Sequence, residues 1–256
     1  MSFDVPAVAY DRFMGRYSSA LAPLFADFSG VAPGDSALDV GCGPGSLTGV
    51  LVERVGAGSV TAVDPSESFV TAMRGRFPDV EAHLGSAENM PFPDGAFDRV
   101  LAQLVVHHMT DPVAGIREMA RVTGSGGVVA ACVWDHVGGR SPVAPFWEAY
   151  RHFEPGADPE ALPGTREGEL VALFGEAGIE DVEGETISFQ YPHGGFEDWW
   201  APFSQSVGPV GRILGGLDDV ARRRLEEMCR EVFPSDSESL DLSVWAARGL
   251  VGRHTM

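Results

Sequence analysis

A glycine-rich turn near the start of the chain constrains the fold more than any other feature. A short apolar run at residues 36–40 precedes the turn, and apolar residues at helical spacing over 47–55 follow it. Between them lie Gly41, Gly43 and Gly45. Glycine tolerates positive φ angles and has no Cβ, so a ligand can lie directly against such a backbone. The pattern predicts a strand, a turn and a helix, and glycine spacing alone leaves open whether the turn holds a ligand.

The residues around the turn indicate what kind of ligand it suits. A dinucleotide-binding turn would have its third glycine at Ser46, and a phosphate-binding P-loop needs a lysine, which this chain lacks. The acidic residues Asp39 and Asp64 suit a cationic, hydroxyl-bearing ligand better than a pyrophosphate. Asp64 ends the second predicted strand, where a carboxylate can accept both hydroxyls of a ribose. In the alternative interpretation it caps the helix that begins near Ser66, with Pro65 in the first turn.

Composition and charge exclude several classes of protein. The 256 residues are 44% apolar, which is enough for one large domain or two small ones. The formal net charge of −19 predicts repulsion from nucleic acid and from anionic membrane surfaces. No stretch reaches the roughly 20 apolar residues of a membrane span. The three cysteines lack the spacing of a disulfide framework or zinc site, so we expect a soluble protein of the reducing cytoplasm.

Strands and helices alternate along the first half of the chain. Further strands are predicted at 59–63, 80–85, 100–106 and 128–134, and helices at 66–77 and 112–122. This alternation implies a doubly wound parallel sheet with helices on both faces and ligands at the carboxyl ends of the strands. Upstream, residues 4–29 are predicted as two helices with Pro23 near the start of the second.

These motifs together resemble class I S-adenosylmethionine-dependent methyltransferases, in the small-molecule group that includes ubiquinone and menaquinone biosynthesis enzymes. The resemblance covers at least residues 35–135 and rests on five segments: Leu38-Asp39-Val40-Gly41-Cys42-Gly43-Pro44-Gly45, Val63-Asp64, Ala87-Glu88 with Met90-Pro91-Phe92-Pro93, Phe97-Asp98, and residues 118–127. It implies a seven-stranded, mostly parallel sheet in which residues 182–191 and 240–250 pair as an antiparallel hairpin. It also implies S-adenosylmethionine as the cofactor.

The resemblance further implies which residues contact that cofactor. On the methionine and ribose side these are Asp39, Gly41, Gly43 and Gly45. The ribose hydroxyls would be bound by Asp64, with Pro65 beside it, and the adenine would be flanked by Ala87 and Glu88. Gln103 would lie near the methionine moiety, and Tyr10 and Arg16 would belong to a leader helix that closes over the cofactor.

One domain is expected over residues 1–256, with lid helices at 1–30 and two insertions, 136–165 and 195–234, covering the strand ends. The insertions and the end of strand five are rich in aromatic residues. We therefore expect a small apolar or aromatic acceptor, contacted by Trp134, Trp147, Trp199 and Trp200. A satellite core is the alternative role for these tryptophans.

The expected reaction is an in-line displacement of the methyl group, which requires neither a metal nor a covalent intermediate. His107 and His108 follow strand four at the ligand-binding edge, and one of them, with His107 preferred, is a candidate general base. A structural role for both is the alternative. Two other functions stay open, namely a cofactor-binding protein without catalysis and a nicotinamide-dependent oxidoreductase.

Overall fold

A computed structural model describes residues 7–156, 162–205, 208–235 and 237–252. Its centre is a seven-stranded sheet with the order β3-β2-β1-β4-β5-β7-β6. The strands are β1 (Ala37–Val40), β2 (Val60–Asp64), β3 (Glu81–Leu84), β4 (Phe97–Gln103), β5 (Thr123–Trp134), β6 (Glu180–Pro192) and β7 (Ser239–Leu250). The first five strands are parallel, and β7 runs antiparallel to both of its neighbours. The predicted doubly wound sheet, including the antiparallel hairpin of β6 and β7, is confirmed.

Helices cover the sheet, whose two faces are each lined by a separate cluster of buried apolar side chains. The helices are α1 (Ala7–Tyr10), α2 (Arg16–Phe28), α3 (Ser46–Val55), α4 (Glu67–Arg76), α5 (Pro112–Val122), α6 (Ala144–Phe153), α7 (Glu169–Glu176), α8 (Phe196–Trp200), α9 (Gly208–Gly216) and α10 (Asp219–Val232). Every residue of β1 is buried, which explains why this strand reads as a continuous apolar run around Asp39.

The end of β4 differs from the sequence prediction. The strand stops at Gln103 rather than at residue 106, because Leu104 adopts a positive φ of 62° that ends the extended backbone. A 3₁₀ helix, Val106–His108, follows. His107 and His108 therefore lie on a turn beyond the strand.

The predicted break at Pro23 is wrong. Helix α2 continues through Pro23, whose side chain is exposed, and the irregular segment is instead a π-helix at Asp11–Gly15 between α1 and α2. A Cβ on Gly15 would lie 2.8 Å from the Asp11 carboxylate, so glycine suits this wider turn. Single π-helical turns are uncommon in proteins as a whole, and those that occur are often found at functional sites.

The two insertions pack on each other through aromatic rings. Helix α6 contacts α10, and the Phe146 ring meets the Phe203 ring at 6.0 Å. The predicted insertion ranges include residues 157–161 and 206–207, which lie outside the described residues. In the part of the chain that the structure describes, no helix combines the length and apolar character that crossing a lipid bilayer requires.

We expect Trp199→Ala to lower the free energy of unfolding by about 3–5 kcal/mol, because it removes a large side chain that is 1% exposed. The loss includes the hydrogen bond that its indole nitrogen donates to the Pro142 carbonyl at 2.7 Å. Denaturant unfolding measures the change. Trp200→Ala, at a half-buried position in the same helix, is the matched control and should cost less. Equal losses would contradict the assignment of Trp199 to the core.

Candidate functional site

The glycine turn is fixed to the end of β2 by three hydrogen bonds. The N–H groups of Gly41 and Cys42 donate to the Val63 carbonyl at 2.7 and 3.1 Å. The N–H of Gly43 donates to a carboxylate oxygen of Asp64 at 2.9 Å. All three glycines of the turn have positive φ angles, of 68°, 53° and 99° in chain order. The backbone there is the left-handed kind that side chains with a Cβ rarely adopt.

The three glycines have different surroundings. A Cβ at Gly41 would come within 2.5 Å of the Val105 side chain, and one at Gly45 within 2.6 Å of Met73. Both positions require close packing. A Cβ at Gly43 would meet no atom within 4 Å and would stand in open space beside the site. Gly43 thus offers bare backbone to a ligand, whereas Gly45 packs against α4.

Asp64 holds the backbone just before α4, but the helix cap is Ser66, and ribose binding by Asp64 stays a prediction. Its other carboxylate oxygen accepts the Ser66 N–H at 2.8 Å, while the Ser66 hydroxyl caps α4. Burial raises the pKa of Asp64, and the two backbone donors oppose that shift. The side chain is 6% exposed and lines a cavity of about 360 Å³, so its remaining lone pairs face that cavity.

This cavity is the larger of two that meet at the glycine turn, and it lies at the carboxyl ends of the parallel strands. Its wall brings together most of the residues that the sequence had assigned to a cofactor. Those lining it are Tyr10, Gly41, Gly43, Asp64, Pro65, Ala87, Glu88 and Gln103. The wall also includes His108 and several residues that the sequence analysis did not single out: Ser66, Phe69, Ser86, Leu104, Val105, Met109 and Thr110. Phe69 lies in α4 and the others lie outside the regular helices and strands, and nothing in their spacing distinguishes them.

A second, much smaller cavity of about 20 Å³ adjoins the first on the side of Asp39. The two share Tyr10, Gly41, Gly43 and Gln103. Gln103 donates to the Ser18 carbonyl at 3.0 Å, and its buried side-chain oxygen has no hydrogen-bond partner in the described chain. A buried acceptor without a donor is costly. Its presence at the cavity wall suits a ligand that brings an N–H donor.

Asp39 is the most perturbed carboxyl group of the site. It is 1% exposed and accepts a 2.5 Å hydrogen bond from the Thr48 hydroxyl. Burial raises the pKa of Asp39 to about 7; the Thr48 hydrogen bond opposes the shift and the charge of Asp64 adds to it. Two buried carboxyls thus lie near one another, and a cationic group beside them would favour their ionised forms.

The N-terminal segment covers the cavities, and of the two residues predicted there only Tyr10 lines them. The Tyr10 ring packs edge-on against Phe69 at 5.2 Å, and burial raises the pKa of its phenol to about 12. Arg16 lines neither cavity. Its guanidinium instead pairs with the Asp198 carboxylate of α8 at 2.8 Å, because that carboxylate lies beside the same helix face.

The two predicted histidines have different positions. His108 lines the larger cavity, whereas His107 is 5% exposed and does not. Their rings are 3.9 Å apart, and the ring of His136, beyond the end of β5, lies 6.0 Å from that of His107. Burial lowers the pKa values of all three, to about 4 for His108 and His136. The sequence analysis missed His136, although its place after a strand of the same edge was a usable signal.

The four predicted tryptophans lie outside both cavities. Trp134 is 2% exposed and Trp199 1% exposed, so both belong to the core. Trp147 and Trp200 are half-buried among the aromatic rings of the insertions. Contact with an acceptor stays a prediction for these residues.

Comparison with known proteins gives this site its context. Residues 38–131 match the family model described as a methyltransferase domain. The chain is 38% identical over 109 residues, 40% of its length, to a 37.1 kDa protein of transposon TN4556 from Streptomyces fradiae, of which it covers 32%. It is 33% identical over 157 residues, 58% of its length, to a ubiquinone/menaquinone biosynthesis C-methyltransferase of Chromobacterium violaceum, of which it covers 64%. The chain thus spans less than two thirds of the length of these curated relatives.

Solved structures agree on the fold. A putative methyltransferase from an antibiotic biosynthesis pathway of Anabaena variabilis aligns with a TM-score of 0.61 at 18% identity. The alignment covers 90% of this chain and 96% of that one. At this identity the likeness establishes the architecture of the sheet and its helices.

Replacing Asp39 by asparagine should make stability less sensitive to pH. Since the folded protein holds the Asp39 proton more tightly than the unfolded chain, its stabilising effect is full below about pH 4 and is lost as the pH rises to 7. Asparagine does not titrate, so Asp39→Asn does not lose this stability. Between about pH 5 and pH 8, its free energy of unfolding should therefore rise by on the order of 2–3 kcal/mol relative to that of the wild type. Denaturant unfolding at both pH values measures it, with exposed Asp79→Asn as control. A pH-independent difference would contradict the raised pKa.

Proposed function

We propose that this protein transfers the methyl group of S-adenosylmethionine to a small-molecule acceptor. The match of residues 38–131 to a methyltransferase-domain family model supports this proposal, as does the similarity to a ubiquinone/menaquinone biosynthesis C-methyltransferase. One observation carries the proposal beyond family likeness. Two buried carboxyls, Asp39 and Asp64, flank a glycine turn that faces a cavity with bare backbone at Gly43.

The residues present fit this cofactor. Asp64 offers lone pairs to the ribose hydroxyls, and Asp39 offers a carboxylate to the cationic methionine end. The buried oxygen of Gln103, which lacks a partner in the described chain, suits the ammonium group. Ala87 and Glu88 line the far wall of the larger cavity and are proposed for the adenine, with Pro65 and Tyr10 closing its sides.

When bound, the cofactor supplies a methyl group on a positively charged sulfur. The protein's contribution is then to hold the acceptor atom in line with that methyl, and such positioning supplies about 7–11 kcal/mol of a barrier in favourable cases. The N-terminal segment, which covers the cavity through Tyr10, excludes water from the site.

His108 is the better placed of the two candidate bases, because it lines the cavity and His107 does not. Burial lowers the pKa of His108 to about 4, so its ring is neutral at pH 7, the form that a general base requires. His107, whose buried ring lies 3.9 Å from that of His108, is retained as the alternative base.

We propose that the acceptor is apolar or aromatic and enters beside the insertions. Trp147 and Trp200 keep exposed surface there, and the cluster they belong to reaches the N-terminal segment where Phe203 meets Phe13 at 5.5 Å. Trp134 and Trp199 support this wall from the core rather than at its surface.

Purified protein should bind S-adenosylmethionine, and Asp64→Ala should weaken binding by about 1.5–3 kcal/mol, because the ribose loses a charged partner and Gly43 N–H loses its acceptor. Titration calorimetry measures both affinities. The control Asp79→Ala removes the same charge from an exposed position and should leave affinity unchanged. Unchanged affinity in Asp64→Ala would contradict the ribose assignment, and binding of NADH instead would favour an oxidoreductase.

Turnover is tested with the methyl-labelled cofactor and a panel of small apolar and aromatic acceptors. Label should move to at least one acceptor, and His108→Ala should lower kcat by about 100-fold with cofactor affinity unchanged. Trp147→Ala should raise the acceptor KM instead. Tight cofactor binding with no transfer to any acceptor would favour a binding protein without catalysis.

A further inference from the structure

Arg76, the last residue of α4, joins two segments that border the cavities. Its Nη1 atom donates to the Pro44 carbonyl of the glycine turn at 2.9 Å, and its Nη2 atom pairs with the Asp11 carboxylate of the π-helix at 2.6 Å. Asp11 directly follows Tyr10, which lines both cavities, and Pro44 lines the smaller one. One guanidinium thus connects the N-terminal segment to the glycine turn.

Helix α4 supports this junction along its length. Near its start, the Phe69 ring meets the Tyr10 ring at 5.2 Å. One turn later, the Met73 sulfur lies where it would be 2.6 Å from a Cβ on Gly45. Positions 69, 73 and 76 follow the three- and four-residue spacing that places side chains on one face of a helix. Arg76 is therefore the charged end of a face that already packs against both segments.

The π-helix leaves room for the carboxylate that Arg76 binds. A Cβ on Gly15 would come within 2.8 Å of the Asp11 carboxylate, and glycine avoids this contact. The ion pair is partly open to solvent, with 29% of the Asp11 side chain and 46% of the Arg76 side chain exposed. Ion pairs of this kind contribute little to the free energy of unfolding. The effect of Arg76 is therefore expected on the position of one segment rather than on the fold.

The far end of α2 is held separately. Arg54 of α3 donates to the Pro23 carbonyl at 2.9 Å, and Arg248 of β7 donates to the Phe28 carbonyl at 2.6 Å. Neither arginine lines the two cavities. A movement that opens the cavities is therefore expected in residues 10–22, which include the carboxylate that Arg76 holds.

We propose that Arg76 is a positioning residue that holds Tyr10 over the cavities and thereby sets the rate at which the cofactor enters and leaves. This rests on the proposed function, in which S-adenosylmethionine occupies both cavities. Arg76 lines neither cavity, so it acts through Asp11 and Pro44 rather than on the ligand. Because the ion pair opposes every opening of the segment, it slows entry and exit alike and leaves the affinity nearly unchanged.

Hydrogen exchange of the full chain, measured by mass spectrometry without any cofactor, tests the positioning itself. In Arg76→Gln the amides of residues 10–15 should exchange threefold or more faster than in the wild type, because the segment opens more often. Asp11→Asn should also speed their exchange, and the double variant should be no faster than Arg76→Gln, because all three lack the same ion pair.

Arg74→Gln is the matched control for this experiment. Arg74 also lies in the last turn of α4, so the two variants remove the same charge from the same helix end. Its guanidinium, however, donates to the Ala82 carbonyl of β3. Exchange in residues 10–15 should therefore match that of the wild type.

Surface plasmon resonance with S-adenosylhomocysteine tests the consequence for binding. Arg76→Gln should raise the association and the dissociation rate constants threefold or more, with Kd within twofold of the wild-type value. Arg74→Gln should change neither rate constant. A faster dissociation with an unchanged association rate would show that Arg76 holds the ligand directly, and the positioning role would be wrong.

Unchanged exchange of residues 10–15 in both Arg76→Gln and Asp11→Asn would also overturn the proposal. So would faster exchange throughout the sheet together with a lower free energy of unfolding, because Arg76 would then support the whole fold. If Arg76→Gln fails to fold, Asp11→Asn decides, since it leaves the hydrogen bond to Pro44 in place. If S-adenosylhomocysteine does not bind the wild type, the proposed function fails, and hydrogen exchange still decides the role of Arg76.

Discussion

The hydrogen bond between Gly43 and Asp64 is the constraint on which the rest of the site depends. It fastens the tip of the glycine turn to the end of β2, while the same carboxylate holds the Ser66 N–H at the start of α4. One side chain therefore joins the turn after β1 to the start of α4, and Gly43 faces the cavity. Because these contacts engage backbone N–H groups, they fix the turn without filling the space beside it.

The site keeps its carboxyls at a cost to stability. Asp39 and Asp64 are both buried, the charge of Asp64 raises the cost of ionising Asp39, and no cation pairs with either in the described chain. Such groups persist where a bound partner offsets the penalty. A ligand that is cationic near Asp39 and carries hydroxyls near Asp64 provides that offset, whereas an anionic one would add to the repulsion. The net charge of −19 acts in the same direction over longer distances.

Sequence reasoning predicted the features that are determined locally. The strand before Gly41, the carboxylate at Asp64 and the alternation through β5 depend on residues within a few positions of each other, and all are present in the structure. It gave no information on contacts between residues that are distant in the sequence. Arg16 looked like a cofactor contact, but its partner Asp198 lies 182 residues away. Trp199 was predicted to contact the acceptor, and it is buried against the rings of Phe203 and Phe233, which lie outside its own helix. Spacing carries no information about such packing.

The N-terminal segment, which covers the cavity beside the glycine turn, is in direct contact with the part of the chain proposed to bind the acceptor. The N-terminal segment meets the second half of the chain at the Arg16 and Asp198 ion pair, at the rings of Phe13 and Phe203, and at the rings of Tyr17 and Tyr191, 4.6 Å apart. Moving α2 away from the cavity therefore breaks all three contacts together. Under the proposed function, the methionine end of the cofactor needs more room than the 20 Å³ beside Asp39, where Gln103 donates to the Ser18 carbonyl, so α2 has to move when the cofactor binds. Movement of α2 for the cofactor thus also loosens the contacts beside the proposed acceptor side.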